Sequence, residues 1–246
     1  MLLNATTAIS TSTILLVPYS KRHVLKYHEW MKDEEIQQAT ASEPLTLEEE
    51  YSMQQSWRQD ADKLTFIACL PLSSSTSSSE TVALSDQDDA PDRMIGDTNL
   101  FLRLDDDDDN DNDNDDDNND EEEKSVIGEL ELMIAETRNQ GKGYGRAALL
   151  TFLWYVVTHE REILDEFLRS TATNSNKRLK CLSVKIGKDN TRSLALFESL
   201  GFEKRASETN YFGEFELRRY GLDVDAVGRL ADVYGLKGYR EVQYNE

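Results

Sequence analysis

The chain has 246 residues, 38 % hydrophobic and 9 % aromatic, enough apolar sequence to bury the core of one ordinary domain. It carries 48 Asp and Glu against 27 Lys and Arg, a net charge of −21 that argues against nucleic acid or an anionic membrane as partner and tolerates basic ones. No apolar run approaches membrane-spanning length, and Met1–Thr13 lacks the basic and apolar regions of a signal peptide, so the expected location is cytoplasmic.

Thr13–Tyr19 reads as a strand, and Lys21–Gln37 as a helix in which Val24, Tyr27, His28 and Met31 recur at helical spacing. Thr46 followed by Glu49 has the form of a capping box and opens a second helix to about Gln59. Leu64–Leu70, Met94–Leu104 and Val126–Ile134 read as strands. Between them lie two low-complexity insertions, at about 73–93 (serine-rich) and 105–123 (Asp, Asn and Glu). Neither has apolar area to offset its ordering entropy, and both are expected to be disordered, solvated loops. The second holds fourteen of the acids and no base, so about two-thirds of the net charge is local.

Gly141 to about Phe167 reads as one long helix or two in series, Leu179–Ile186 as a strand, and Asn190–Leu200 as an amphipathic helix stopped by Gly201. Phe202–Arg205 and Phe212–Arg218 form a closing pair of strands. Residues 220–246 are a polar C-terminal extension with one helically spaced apolar cluster at Val224, Val227, Leu230, Val233 and Tyr234. The alternation β-α-α-β-β-β-α-β-α-β-β predicts an α/β domain, helices packed on a sheet, over residues 14–219. Cys69 and Cys181 sit in separate apolar strands and read as buried reduced thiols. With His23, His28 and His159 they offer no ligand spacing, so no metal is expected. Trp57 and Trp154 read as core residues.

The chemistry concentrates where the strand Val126–Ile134 runs into a helix. Arg138-Asn139-Gln140-Gly141-Lys142-Gly143-Tyr144-Gly145 places three alternating glycines at a helix start, with Arg138 and Lys142 adding positive charge. Glycine admits positive φ and close backbone approach, and the free N–H groups of the helix N-terminus converge on one point. A diphosphate fits such a turn. The alternative is a glycine-bearing loop leading into a helix. The spacing is neither that of a P-loop nor that of a dinucleotide fingerprint.

About fifty residues on, Lys185-Ile-Gly-Lys-Asp-Asn190 closes a strand, and Thr191-Arg-Ser193-Leu-Ala-Leu-Phe197-Glu-Ser-Leu200-Gly201-Phe202 follows. The pair of motifs, Arg-x-x-Gly-x-Gly before one helix and Asn-x-x-Ser…Leu-Gly-Phe around the next, resembles the GNAT N-acetyltransferase superfamily. The N-terminal Leu15-Leu-Val-Pro-Tyr19…His23-Val…Tyr27-His28-Glu-Trp30, and Asn190 with Ser193, are similar to the ribosomal-protein N-acetyltransferase-type branch, and the string Thr40–Tyr51 and the phrase Gly128–Glu136 to its N-acetyltransferase 9-like proteins in particular.

The resemblance implies a mixed, splayed sheet flanked by helices and acetyl-CoA as acetyl donor. Arg138, Asn139, Gln140, Gly141, Lys142, Gly143, Tyr144 and Gly145 would hold the pyrophosphate. Leu132, Met133 and Ile134 would offer backbone to the pantetheine arm in the splay, and Asn190 and Ser193 would meet it from the second helix. The acceptor would be an amine, expected on a protein or peptide.

Such a transfer needs a base for the amine. Glu129 and Glu131 lie two apart on one strand and so share a face, with Glu131 nearer the splay. They are the candidate bases; the alternative makes them exposed strand residues of an acidic protein. Many members of the superfamily carry a tyrosine acid seven residues after the motif asparagine. Here Phe197 stands there, which leaves the acid unassigned and keeps a second reading open, an inactive module that binds a basic cytoskeletal or ribosomal protein. His28, on the first helix, reads as a packing or capping residue rather than a reactive one.

Overall fold

In the computed structural model, residues 1–72, 84–105, 125–171 and 179–245 are described. The serine run and most of the acidic tract lie outside them. The strands are β1 Thr7–Ser10, β2 Leu15–Pro18, β3 Lys63–Cys69, β4 Met94–Leu104, β5 Val126–Ile134, β6 Leu179–Gly187, β7 Glu203–Lys204, β8 Glu214–Tyr220 and β9 Arg240–Gln243. The helices are α1 Val24–Trp30, α2 Glu34–Ala39, α3 Leu47–Gln59, α4 Tyr144–Thr158, α5 Glu160–Ser170, α6 Thr191–Ser199 and α7 Val224–Tyr234. The nine strands form one mixed sheet in the order β7-β8-β6-β5-β4-β3-β2-β1-β9. Its β5–β6 contact is parallel and its other contacts are antiparallel.

Both faces of the central sheet are covered, so its strands read as nearly continuous apolar runs. On β3, Leu64, Phe66 and Ala68 enter one core with Phe152 and Tyr155 of α4, while Ile67 and Cys69 enter the other with Tyr27 and Trp30 of α1. That division is the period of two expected of a pleated strand. Burying one such Leu or Phe side chain is worth about 1.5–3 kcal/mol in transfer free energy. Cys69 and Cys181 are both buried, reduced thiols, and burial raises the Cys69 pKa far above the ordinary range. No helix among the described residues is long and apolar enough to cross a membrane.

Several elements differ from the sequence reading. The stretch Lys21–Gln37 is not one helix. A 3-10 turn at Lys21–His23 leads into α1, the chain leaves the helix after Trp30, and the Asp33 carboxylate accepts from the N–H groups of Glu35 (2.9 Å) and Ile36 (3.4 Å) to start α2. The long stretch after Gly143, by contrast, takes the second of its two expected forms, two helices in series, α4 and α5, meeting at His159.

The chain ends also build the sheet: β1 pairs with β9, Ala8 opposite Val242, and α7 packs beside α4. Residues 84–93 form a hydrogen-bonded turn, exposed at Ser85, Asp86 and Gln87 but anchored by a buried carboxylate. Its Asp89, 2 % exposed, meets Arg22 (2.6 Å), His23 (3.1 Å) and the Tyr244 hydroxyl (3.0 Å). Burial opposes the Asp89 charge, but those partners hold its pKa below the usual range.

Candidate active site

β5 and β6 pair from Val126–Leu179 to Glu129–Ser183 and then stop, although β5 runs on to Ile134 and β6 to Gly187. The two strands splay, and on the β6 side the backbone of Leu132, Met133 and Ile134 is left without a strand partner among the described residues. A cavity of about 560 Å³ opens at this splay. Its walls include Glu129, Glu131, Leu132 and Met133 of β5, Val184–Gly187 of β6, and Asn190, Ser193 and Phe197 at α6. The end of α2 with the turn after it (residues 38–42) and Trp57 of α3 close another side.

The turn Arg138–Gly145 is not part of that lining but adjoins it. A Cβ on Gly145 would sit 3.7 Å from Leu132 and Ile134 of β5 and 3.8 Å from Leu196 of α6, so α4 begins at the mouth of the splay. Gly141 and Gly143 have φ of +72° and +88°, a backbone region that favours glycine. Gly143 is the N-cap of α4 and no side chain caps the helix. The helical bonding starts at the Ala147 N–H, which donates to the Gly143 carbonyl at 3.0 Å. The N–H groups of Tyr144, Gly145 and Arg146 therefore lack intrahelical acceptors, and space is open above both positive-φ glycines. This backbone fits a diphosphate, whose charge would be met by those N–H groups and the helix dipole.

Side chains around the turn differ in what they can contribute. Arg138 is largely exposed, 3.5 Å from Glu136, and remains available to an anion. Asn139 is buried in the turn, and Gln140 donates through Nε2 to the Ile134 carbonyl at 2.8 Å, so it braces the end of β5. Lys142 is exposed, and Tyr144 packs on the core. Asn190 caps α6, its Oδ1 accepting from the Ser193 N–H at 3.1 Å, which leaves its Nδ2 free to donate into the cavity.

The two strand glutamates share the cavity face, and their environments separate them. Glu129 pairs with Lys185 at 2.9 Å. Glu131 makes no hydrogen bond or ion pair among the described residues, and burial, reinforced by the charges of Asp97 and Glu129, pushes its carboxyl up to about 7 despite nearby Lys185. A free carboxylate with that pKa is matched to taking a proton at neutral pH.

The same shift sets a stability trend. Folded Glu131 keeps its proton to about pH 7, whereas the unfolded group releases it near 4.5. Stability therefore falls as pH rises across that window, by about 3–4 kcal/mol at most. Glu131→Gln should raise the melting temperature relative to wild type at pH 8 and leave it unchanged at pH 4, as followed by thermal denaturation.

Sequence reasoning missed part of this wall. Asp97 and Asn99 of β4 line the cavity beside Glu131, with Asn99 directly opposite Glu131 in the β4–β5 register. Their signal was an acid and an amide two apart, on one face of a mostly apolar strand. Trp57, expected in the core, lines the cavity and packs edge-on to Phe101 at 5.7 Å. Trp154 packs against the main core and stacks on Tyr239 at 5.0 Å. His28 sits 3.3 Å from the buried Glu50, joining α1 to α3 away from the cavity. Phe197 is buried against Phe202, ring centres 5.1 Å apart, and presents no proton to the cavity. Among the described residues no group of His, Cys, Asp and Glu is gathered to hold a metal ion.

The splayed sheet with its turn at α4 has close counterparts. Residues 13–203 match the family model described as acetyltransferase (GNAT) domain. The chain is 41 % identical over 228 residues to the N-acetyltransferase 9-like protein of Schizosaccharomyces pombe, covering 88 % of this chain and 97 % of that one. It is 42 % identical over 220 residues to the alpha/beta-tubulin-N-acetyltransferase 9 of Drosophila melanogaster, covering 89 % of each. Among solved structures, the spermidine N-acetyltransferase of Vibrio cholerae in complex with CoA and spermine superposes with a TM-score of 0.55 at 16 % identity, covering 88 % of this chain and 99 % of that one, a likeness of fold. The chain belongs to the GNAT acetyltransferase family, within the N-acetyltransferase 9-like group, and is an acetyl-CoA-dependent N-acetyltransferase.

Proposed function

We propose that the protein acetylates an amine of a protein substrate by direct attack on the thioester of acetyl-CoA, with Glu131 as general base. The observation that carries the reading is Glu131 itself: a half-buried carboxylate without a partner, at the splay, with its pKa pushed up to about 7. Glu129 is engaged by Lys185 at 2.9 Å, and its charge helps to raise the Glu131 pKa.

Acetyl-CoA supplies the activated acetyl carbonyl. The N–H groups at the start of α4 hold its pyrophosphate, with Arg138 and Lys142 adding charge. The β5 backbone at Leu132–Ile134, without a strand partner on its β6 side among the described residues, receives the pantetheine arm as an added strand, with the Ile134 carbonyl held by Gln140, and Asn190 and Ser193 border it. The reacting carbonyl then lies near Glu131, in the cavity that residues 38–42 help to line.

For the acceptor we propose tubulin, on the strength of the relatives named for that activity, of which the Drosophila protein is 42 % identical. The test is incubation of purified tubulin with the protein and acetyl-CoA, followed by mass spectrometry of the tubulin peptides. Acetylation at a defined amine is expected. Bound cofactor without product on tubulin or on any peptide amine would sink the reading and favour the non-catalytic interaction module instead.

A further inference from the structure

The reacting amine of a protein is an ammonium at neutral pH, with three donors and no acceptor. A site for it needs hydrogen-bond acceptors that water does not already satisfy. β4 provides two of them. The Asp97 carboxylate, 2 % exposed on the cavity wall, accepts from the Tyr27 hydroxyl at 3.1 Å and from Asn99 Nδ2 at 3.0 Å. Because a carboxylate accepts and does not donate, this bond commits the amide nitrogen of Asn99 to Asp97 and turns its oxygen elsewhere. That oxygen, Oδ1, is buried with no hydrogen-bond partner, on a residue 2 % exposed that lines the same cavity. An orphaned buried acceptor costs about 1–3 kcal/mol, which a donor arriving with a ligand would recover. Asn99 stands opposite Glu131 in the sheet, and Asp97 is two residues along on the same face.

We propose that Asp97 and Asn99 anchor the acceptor in its ammonium form, their oxygens receiving two of its N–H groups while Glu131 receives the third. The inference rests on the reading of Glu131 as base and adds the residues that choose the substrate's protonation state. The acceptor ammonium gives one proton to Glu131 and becomes a nucleophile where it is bound. Its nitrogen bonds to the acetyl carbon as the carbon–sulfur bond breaks, and the nitrogen's second proton leaves with the sulfur as the free thiol of CoA. Glu131 returns its proton to water. No tyrosine at position 197 is needed in this sequence of transfers.

Asp97 acts a second time through its charge, which is among the causes of the raised Glu131 pKa. Burial also pushes Asp97 up, to about 6, against the lowering effect of its two donors. The titratable groups facing Glu131 are thus Asp97, Glu129 and Lys185 on the sheet and Tyr27 from α1.

The test uses the full chain with CoA bound, and calorimetry with a short tubulin peptide bearing a free amine and with its pre-acetylated twin. Wild type should prefer the free amine. Asp97→Asn, which keeps the shape and an acceptor for Tyr27, should bind the amine peptide about tenfold more weakly, the pre-acetylated peptide unchanged. Acetyl-CoA-induced stabilisation should be the same in both proteins, which shows the variant folded. In turnover, Asp97→Asn should raise KM for the acceptor and not for acetyl-CoA, and shift the rising limb of the pH profile to lower pH. Asn99→Ser is the second variant, expected to weaken the amine peptide alone. Equal binding of the amine peptide by wild type and both variants overturns the anchor, even if Glu131→Gln has abolished turnover. A wild type inactive on every amine fails the base reading instead, while the calorimetry still decides the anchor.

Discussion

Glu131→Gln should lower kcat by about 10²–10⁴-fold, the usual worth of a positioned general base, with the protein still folded and still binding acetyl-CoA. Glutamine keeps the length and burial of the side chain and removes its capacity to take a proton. The alternative base on the same face, Glu129, is held by Lys185 at 2.9 Å and cannot substitute without breaking that pair. Glu129→Gln should therefore act indirectly. It removes one of the charges that raise Glu131, so the rising limb of the pH profile moves to lower pH, and activity at neutral pH changes little. Steady-state rates at saturating acetyl-CoA separate the two variants. A Glu129→Gln protein with the larger defect would exchange their roles.

Gly143→Glu should abolish the stabilisation that acetyl-CoA confers. For wild type, ligand at a hundredfold over its Kd adds about 2.7 kcal/mol, several degrees in melting temperature for a chain of this size. Two effects remove it in the variant. A carboxylate at the N-terminus of α4 occupies and repels the pyrophosphate position. A side chain at φ +88° also strains the turn by about 1–3 kcal/mol and misdirects the N–H groups that follow. No atom lies within 4 Å of a Cβ at this position, so no clash with the core is added and the fold survives. Gly143→Ala, strained but uncharged, should keep part of the shift. A thermal-denaturation titration with acetyl-CoA reads all three proteins, and an undiminished shift in Gly143→Glu would move the pyrophosphate elsewhere.

What the sequence made legible follows from how local each signal is. The β5 alternation placed Glu129 and Glu131 on one face, and the register opposite Phe101 and Asn99 bears this out. Thr46 with Glu49 is a capping signal that acts within one turn, and that cap forms; Asn190, read only as the start of a helix, proves to cap it through the Ser193 N–H. The split of the first helix was also local, written in Asp33-Glu34-Glu35, but the apolar spacing across it was continuous and masked the cap.

The pairing of Thr7 with Gln243 could not be read, because its hydrogen bonds join segments far apart in sequence and neither strand has a long alternating run. The same distance hid Asp97 and Asn99. Their meaning depends on β4 lying beside β5 and on Tyr27 of α1 arriving over them, both of which are tertiary facts. The glycine turn was recognisable because its requirement, backbone conformation at a helix start, is carried by consecutive residues.

The account stands or falls on Glu131 as the base. The most direct measurement is the single-turnover rate of acetyl transfer against pH, for wild type and Glu131→Gln, with acetyl-CoA bound beforehand. The wild-type rate should rise tenfold per pH unit below about 7 and level above it, and the variant should be slow and lose that limb. A wild-type rate independent of pH through 7, or a limb that persists unchanged in Glu131→Gln, would contradict it.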